Sequence, residues 1–480
     1  MNIPPFFVFT KGTKGRDVVF LGLAVPGAVG VSSLDSLKIV EHKKSEGTIQ
    51  NYEVIFTILD VRTISRAWIE DLHRGEPMTE NAPVPWVNWI KTGEYTPLIE
   101  RVDYSLSNAS LVRDTPHPLL NQSEVPTHIH SYIKSKGFNY SLEDINNLYL
   151  SIKTKPFVIL SGISGTGKTK IVQWLAESVG ATEENKQFTL IPVRPDWNDG
   201  SDLLGFVDIK GEFKPGPLTK VIEEAEKHPN LPFFVLLDEM NLARVEHYFS
   251  DMLSVMESRK WKDGKMVTTP LLTEETAKKN ITLPSNVYVL GTVNMDETTH
   301  PFSKKVLDRA NTIEFNTVEL SNLTFLEDLD EVEPIKASNS MFLSDFLHLK
   351  DIYLGNEEFV RKVTKELENI NSILQPTNLH FGYRVRDEIS FYLYYNEING
   401  FLTYEEAFDF CILQKILPRL SGSDQRTEEM LQGLYKLFTG REYSSRDEKD
   451  IEEAMYSKSA NKVVEMLRRL QDGFTSFWIS

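Results

Sequence analysis

The chain of 480 residues holds a single cysteine, Cys411, which excludes an internal disulfide and a thiolate zinc site. Its neighbours Phe408, Phe410, Ile412 and Leu413 mark it as an inert buried thiol, and this scarcity fits a reducing, cytosolic compartment. Long hydrophobic runs are missing too. The longest, Val18 to Val31, is broken by Gly22, Pro26, Gly27 and Gly30 and is too short to span a bilayer. Behind Asp17 it also lies too deep for a signal peptide, so strand and turn are expected there and no membrane partner. Positive charge is the third shortage: 52 Lys and Arg face 69 Asp and Glu, a formal net charge of −17. That excludes a protein whose whole surface grips nucleic acid. Residues 1–115 carry 12 Lys and Arg against 14 Asp and Glu, so −15 falls on the rest. The first segment is the less repulsive place for DNA to approach. No internal repeat, low-complexity tract or nuclease constellation is visible: neither a strand-borne Asp…Glu-x-Lys pair in a separate domain nor a His/Cys metal cluster.

What is present centres on Gly162-Ile-Ser164-Gly165-Thr166-Gly167-Lys168-Thr169, directly behind the apolar run Pro156-Phe-Val-Ile-Leu and ahead of a helix-like stretch, Lys170 to Val179. This is a P-loop in its required setting. The glycines let backbone N–H groups turn inward on a triphosphate, Lys168 reaches the β/γ-phosphates and Thr169 offers its hydroxyl to Mg²⁺.

Length alone predicts about three domains. Runs such as Phe6-Phe-Val-Phe, Val18-Val-Phe-Leu and Tyr52 to Leu59, separated by Gly and Pro turns, predict a mostly-β domain over 1–115. A linker with prolines, Asp114 to Pro126, and a helical preface fill 116–150. Strands then alternate with helices over 151–317, the pattern of a parallel sheet covered on both faces. Residues 318–480 read as predominantly helical.

A second buried-strand run, Phe233-Phe-Val-Leu-Leu, ends in Asp238-Glu239. Asp238 would reach the Mg²⁺ shell and Glu239 would polarise the water that attacks the γ-phosphate, so catalysis is implied beside binding. A third, Val287 to Asn294, ends in an amide able to hydrogen-bond that water. Arg309 and Arg384 follow, spaced as in an oligomeric NTPase where one arginine reaches a neighbour's nucleotide and one contacts its own. Each arginine by itself also reads as a surface ion-pair partner.

These elements, with Pro192-Val-Arg-Pro-Asp-Trp197, Leu237-Asp-Glu-Met-Asn-Leu-Ala-Arg-Val-Glu-His-Tyr-Phe249, Asn294-Met-Asp-Glu-Thr-Thr-His-Pro and Leu307-Asp-Arg-Ala, resemble the AAA+ motor subunit of McrBC-type modification-dependent restriction systems. The likeness runs from about Ile129 to the closing Gly473-Phe-Thr-Ser-Phe-Trp478. It implies an AAA+ α/β P-loop core with a helical C-terminal lid, and a ring, commonly a hexamer, that hydrolyses ATP or GTP with Mg²⁺ in phage defence. It implies a separate McrC-like nuclease as partner. By the same likeness Gly162, Ser164, Gly165, Thr166, Gly167, Lys168 and Thr169 hold the nucleotide, and Thr169 with Asp238 holds the metal. Glu239 and Asn294 are then catalytic, Arg309 is the trans finger and Arg384 the second sensor. The chain departs from the family's founding member, which has Met-Asn-Thr-Ala-Asp-Arg around its sensor and prefers GTP. Here Val293-Asn-Met-Asp-Glu297-Thr keeps the Asn and lacks the arginine, so base choice does not transfer.

The N-terminal runs Arg16 to Gly27 and Asn51 to Val61, with Pro85-Trp-Val-Asn-Trp89, resemble an SRA-like recognition domain, which implies modified DNA as a partner and a flipped base held in an aromatic pocket. Tyr52, Trp68, Trp86, Trp89 and Tyr95 are the candidate lining, although aromatics also dominate ordinary cores. The chain opens almost directly into strand-like sequence, which leaves the completeness of this domain open. Two other classes stay in view: a MoxR- or chelatase-type ATPase remodelling proteins, and a nucleotide-gated DNA-binding module with negligible turnover. The Asp238-Glu239 pair disfavours the module, and the β-rich front disfavours the remodeller.

Overall fold

The computed structural model describes residues 5–11, 18–27, 37–44, 47–54, 56–59, 61, 64–79, 81–93, 122–262, 265–294, 299–316, 326, 329–444 and 449–478. The chain forms two compact units, Met1–Asp114 and Thr115–Ser480.

In the first unit β1 (Phe6–Lys11), β2 (Val18–Pro26) and β5 (Phe56–Leu59) form an antiparallel sheet in the order β1-β2-β5, and β3 (Leu37–Lys44) pairs with β4 (Gly47–Val54). Two helices follow, α1 (Arg66–His73) and α2 (Val84–Thr92). Ser65 caps α1 by accepting from Trp68 N, and Pro85 opens α2, where its missing N–H costs nothing. The run Pro85 to Trp89 is therefore helical. Leu23, Val25, Leu59, Val61, Trp68 and Trp86 make the core, with the two indoles edge to face at 5.3 Å. Trp68 Nε1 donates to Pro77 O at 2.9 Å. On α1 itself a buried carboxylate, Asp71, accepts from Thr79, Asn81 and Arg74. Those neighbours, Thr79 and Asn81 foremost, hold its pKa below the usual carboxylate value.

In the second unit α3 (Val125–Ser135) and α4 (Leu142–Thr154) precede the sheet. Pro126 sits in the first turn of α3, so the expected linker ends as helix. Five parallel strands follow: β6 (Phe157–Gly162), β7 (Phe188–Pro192), β8 (Phe233–Asp238), β9 (Val287–Asn294) and β10 (Asn311–Glu314), ordered β10-β6-β9-β8-β7. Helices cover both faces, so alternate residues of one strand enter different cores. Phe157, Ile159, Val235 and Leu237 pack with α6 (Pro217–Lys227) and α7 (Ser250–Glu257), whereas Val158, Leu160, Phe234 and Leu236 pack with α3, α4 and α5 (Lys168–Ser178). This explains why the strands read as continuous apolar runs.

The remaining described residues are mainly helical. α8 (Glu357–Leu374) buries Val360, Val363, Leu367, Ile370 and Leu374, a 3-and-4 spacing that makes one apolar stripe. It packs with α9 (Tyr383–Asn399), α10 (Tyr404–Cys411), α11 (Gln425–Thr439) and α12 (Ser457–Leu470) around a separate core. Thr403 and Glu406 form a reciprocal capping box at the start of α10. Cys411 is buried in this core, and burial pushes its thiol pKa up.

Candidate nucleoside triphosphate site

The loop between β6 and α5 owes its curl to residues with positive φ: Gly162 at 147°, Gly165 and Gly167 at 86°. At Gly162 a Cβ would strike the Phe315 carbonyl, and at Gly167 the Tyr140 hydroxyl, so close approach adds to conformation in requiring glycine there. The second contact is supported from outside the motif, because Tyr140 Oη donates to Gly167 O at 3.2 Å. Burial pushes the Tyr140 phenol up to about 12, which keeps it a donor. On the other side Ile163 N donates to Asn316 Oδ1 at 3.1 Å.

Lys168 opens α5 and is buried, with Nζ donating to Gly162 O at 2.9 Å and Ile163 O at 2.7 Å. Burial lowers its pKa while the charges of Asp238 and Glu239 work to raise it. The ammonium thus points into the loop where phosphates would lie. No side chain caps α5, so its first N–H groups and helix dipole are available to an anion. Ser164 is exposed at the loop's apex, and Thr166 Oγ1 donates to Ile163 O at 3.1 Å.

The strand ends bring the other groups to the same edge. Thr169 Oγ1 donates to Asp238 Oδ1 at 2.9 Å, from residues 69 positions apart. A hydroxyl beside a carboxylate is a hard oxygen pair that fits Mg²⁺, which keeps several waters and takes few protein ligands. Glu239 adopts the left-handed region, φ 52° and ψ 47°, which ends β8 abruptly. Its Oε1 accepts from Asn294 Nδ2 at 2.8 Å. The predicted Lys168, Thr169, Asp238, Glu239 and Asn294 are thereby brought together.

Sequence reading missed two residues here. Thr292 Oγ1 donates to Asp238 Oδ1 at 2.6 Å and accepts from Glu239 N at 3.0 Å, so one hydroxyl braces both acids. Its signal was present, since it precedes Asn294 by two positions on the same strand face. Asn241, fully buried, donates from Nδ2 to Asn294 O at 3.0 Å and so fixes the backbone under the amide. Nothing in its spacing announces that contact. Glu297 lies outside the described residues.

The two arginines lie elsewhere. Arg309 Nε donates to Leu253 O at 3.2 Å, Nη1 to Lys305 O at 2.7 Å, and Nη2 pairs with Glu257 Oε1 at 2.6 Å. Arg384, second residue of α9, pairs with the same Glu257 oxygen. Both line a cleft of about 230 Å³ with Lys155, two residues ahead of β6. Because Asn311 is in register with Val158, this cleft is at the end of the sheet opposite the P-loop. Some 13 Å of strand separates Val158 from Gly162 at about 3.3 Å per residue. Arg384 therefore lies at the end of the sheet away from its own chain's P-loop, and not beside it as expected from sequence, because α9 docks on Lys155 ahead of β6.

The aromatic lining expected in residues 1–115 is also corrected in part. Trp68 and Trp86 are core residues, 0% and 1% exposed, with no face left for a base. Trp89 is half-buried against that core. Tyr52 lies in β4 with its side chain outside the described residues, as is Tyr95. Among the described residues no His/Cys/Asp/Glu group suits a metal cluster, and no helix is long and apolar enough to cross a membrane.

Comparison with known proteins divides the chain in three. Residues 1–101 match the family model of the restriction endonuclease AspBHI N-terminal region, residues 157–310 an AAA domain of the dynein-related subfamily, and residues 331–474 a domain of unknown function, DUF8727. A curated relative is the type IV methyl-directed restriction enzyme EcoKMcrB subunit of Escherichia coli strain K12, 25% identical over 173 residues, which are 33% of this chain and 37% of that protein. Solved structures include the DNA modification-dependent restriction endonuclease AspBHI, 39% identical over 20% of this chain and 45% of that one, TM-score 0.19. The DNA recognition domain of the cytosine modification-dependent restriction endonuclease LpnPI is 36% identical over 20% of this chain and 44% of its own, TM-score 0.19. The chain thus spans less than half the length of each of these relatives. It joins an AspBHI-type N-terminal segment to an McrB-like AAA domain.

Proposed function

We propose, from the union of those two segments in one chain, that this protein is the NTPase motor of a DNA restriction system directed at modified DNA. The observation that carries this reading is the assembled edge of the sheet, in which Thr169 bonds Asp238, Asn294 bonds Glu239 and Lys168 lies within the field of both acids, behind a segment matched to a restriction endonuclease's N-terminal region. Phosphoryl transfer needs positioning and charge stabilisation more than covalent chemistry. Lys168 and the α5 N-terminus bind the β/γ-phosphates, and Thr169 and Asp238 would hold Mg²⁺, which would supply neutralisation of phosphate charge. Glu239 takes the proton of the attacking water at Oε2 while Asn294 fixes Oε1. The substrate is ATP or GTP.

In this reading the arginines act in trans. Arg309 and Arg384 share one cleft too far from their own P-loop to serve it, so a ring, in our proposal a hexamer, presents both to the next subunit's γ-phosphate. An McrC-like nuclease is the partner that cleaves, in the cytoplasm. The test is turnover by the full chain with ATP or GTP, with and without DNA bearing modified cytosine. Glu239→Gln is expected to bind nucleotide and lower turnover by at least about a hundredfold, the scale of losing an essential general base. Wild-type turnover by that variant would remove Glu239 from the role, and indifference to modified DNA would remove the restriction function.

A further inference from the structure

We propose that Glu257 is a positioning residue for trans hydrolysis, a carboxylate clasp that holds Arg309 of the sheet domain and Arg384 of the helical domain as one unit aimed at the neighbouring subunit. This rests on the reading above that both arginines serve a neighbour's nucleotide. Glu257 is the last residue of α7, and a single oxygen of its side chain receives both guanidinium groups. Two cations on one anion leave an excess of positive charge at the cleft, the sign a polyphosphate requires. Without the carboxylate the two guanidiniums would repel and separate.

The anchors are unequal. Arg309 has two backbone carbonyls besides Glu257, and its side chain is 11% exposed. Arg384 is 43% exposed, and Glu257 is its ion-pair partner. Its place therefore depends on the clasp. The clasp need not open for the arginines to act, because a guanidinium has five N–H donors. Arg309 commits three to these contacts, which leaves donors on both residues for phosphate oxygens.

A second carboxylate fixes the same helix one turn on. Glu388, four residues after Arg384 on α9, takes Lys155 on one oxygen and Lys415 on the other. Lys415 Nζ also donates to Ala310 O at 2.7 Å, the carbonyl next to Arg309. Glu388 thus bolts α9 to the sheet, and Glu257 sets the arginine that projects from its first turn. Movement of the helical domain would be felt by both arginines together, so a neighbour's site gains or loses them as a pair.

The full chain carrying Glu257→Gln, Glu257→Ala or Glu257→Asp tests this beside Arg309→Ala and Arg384→Ala, with kcat and KM measured at protein concentrations where assembly is verified by mass. Glu257→Gln and Glu257→Ala should lower kcat about ten- to a hundredfold, the cost of misplacing a group by about an ångström. KM should stay within about twofold, since the clasp is remote from the P-loop of its own chain. Glu257→Asp, which keeps the charge, should recover part of the loss. Glu257→Gln combined with Arg384→Ala should be no worse than Arg384→Ala alone, the signature of two residues acting through one contact. A carboxylate that merely stabilises the fold would lower the melting temperature and leave kcat of the assembled fraction unchanged. That unchanged kcat overturns the clasp, as does a Glu257→Gln loss that adds in full to that of Arg384→Ala. If Glu257→Gln and Glu257→Ala turn over normally while Arg309→Ala and Arg384→Ala are slow, the clasp falls and the trans arginines stand. If the arginine variants turn over like wild type, the trans reading itself falls.

Discussion

Glu239 is held in a conformation that a non-glycine residue adopts at a cost of order 1 kcal/mol or more, and such strain persists only where neighbours over-determine it. Thr292 is one of those neighbours. Its hydroxyl accepts a hydrogen bond from the Glu239 N–H and donates one to Asp238, so it orders at once the two acids to which we assign water polarisation and metal binding. Thr292→Val keeps the shape and removes both bonds inside a site 2% exposed. The orphaned amide should cost about 1–3 kcal/mol of stability, measured by denaturant unfolding. Turnover should fall about tenfold, with nucleotide affinity changed far less because Lys168 is untouched. Thr292→Ser should behave like wild type. Equal turnover of the Val and wild-type proteins would show that Asn294 alone suffices to hold Glu239.

At the scale of elements, what could be read in advance was whatever one segment decides for itself. β6, β8 and β9 were legible because burial on both faces leaves nothing but apolar residues, ending in polar groups at one edge. α2 was not, since Pro85 to Trp89 carries strand-like aromatics and becomes helical through its proline at the first turn and Gly93 in the left-handed region beyond its end. Trp68 and Trp86 went to the core because two helices fold onto the sheet, a tertiary fact. Arg384 and Glu257 are 127 positions apart, and their pairing depends on where α9 docks.

That docking carries its own prediction. Burial works against the charge on Glu388, but the Lys155 and Lys415 ammoniums outweigh it and hold the carboxyl down to about 2. A carboxylate whose folded pKa lies below its unfolded value near 4.5 contributes stability that is fully present above the unfolded value and is lost as pH falls through the folded one. Acid unfolding between about pH 4.5 and 2 should therefore be shallower in Glu388→Gln. At pH 7 the same variant should be about 3–5 kcal/mol less stable, since two buried ammoniums lose their partner. An unchanged acid limb would mean that α9 is held by apolar packing alone.

For the whole molecule the question is which part meets DNA, and charge and family likeness point the same way. Residues 116–480 hold −15 of the −17 formal charge and repel phosphates, whereas residues 1–115 are near neutral and match a restriction endonuclease's N-terminal region. Trp68 and Trp86 are spent on the core, so any aromatic that stacks on a flipped base must come from elsewhere, with Tyr52, Trp89 and Tyr95 the remaining sequence candidates. The full chain is expected to bind duplexes carrying a modified cytosine more tightly than the unmodified duplex of the same sequence, by at least about tenfold, with affinity falling as salt rises. Deleting residues 1–115 should abolish the preference while leaving unstimulated NTP turnover in place, because the P-loop edge is built wholly within the second unit. Tyr52→Ala, Trp89→Ala and Tyr95→Ala should separate the three candidates: loss of preference in one, with unfolding unchanged, identifies the stacking residue. If the deleted protein still discriminates modified from unmodified duplexes, recognition belongs to the AAA-containing unit, and residues 1–115 serve another partner.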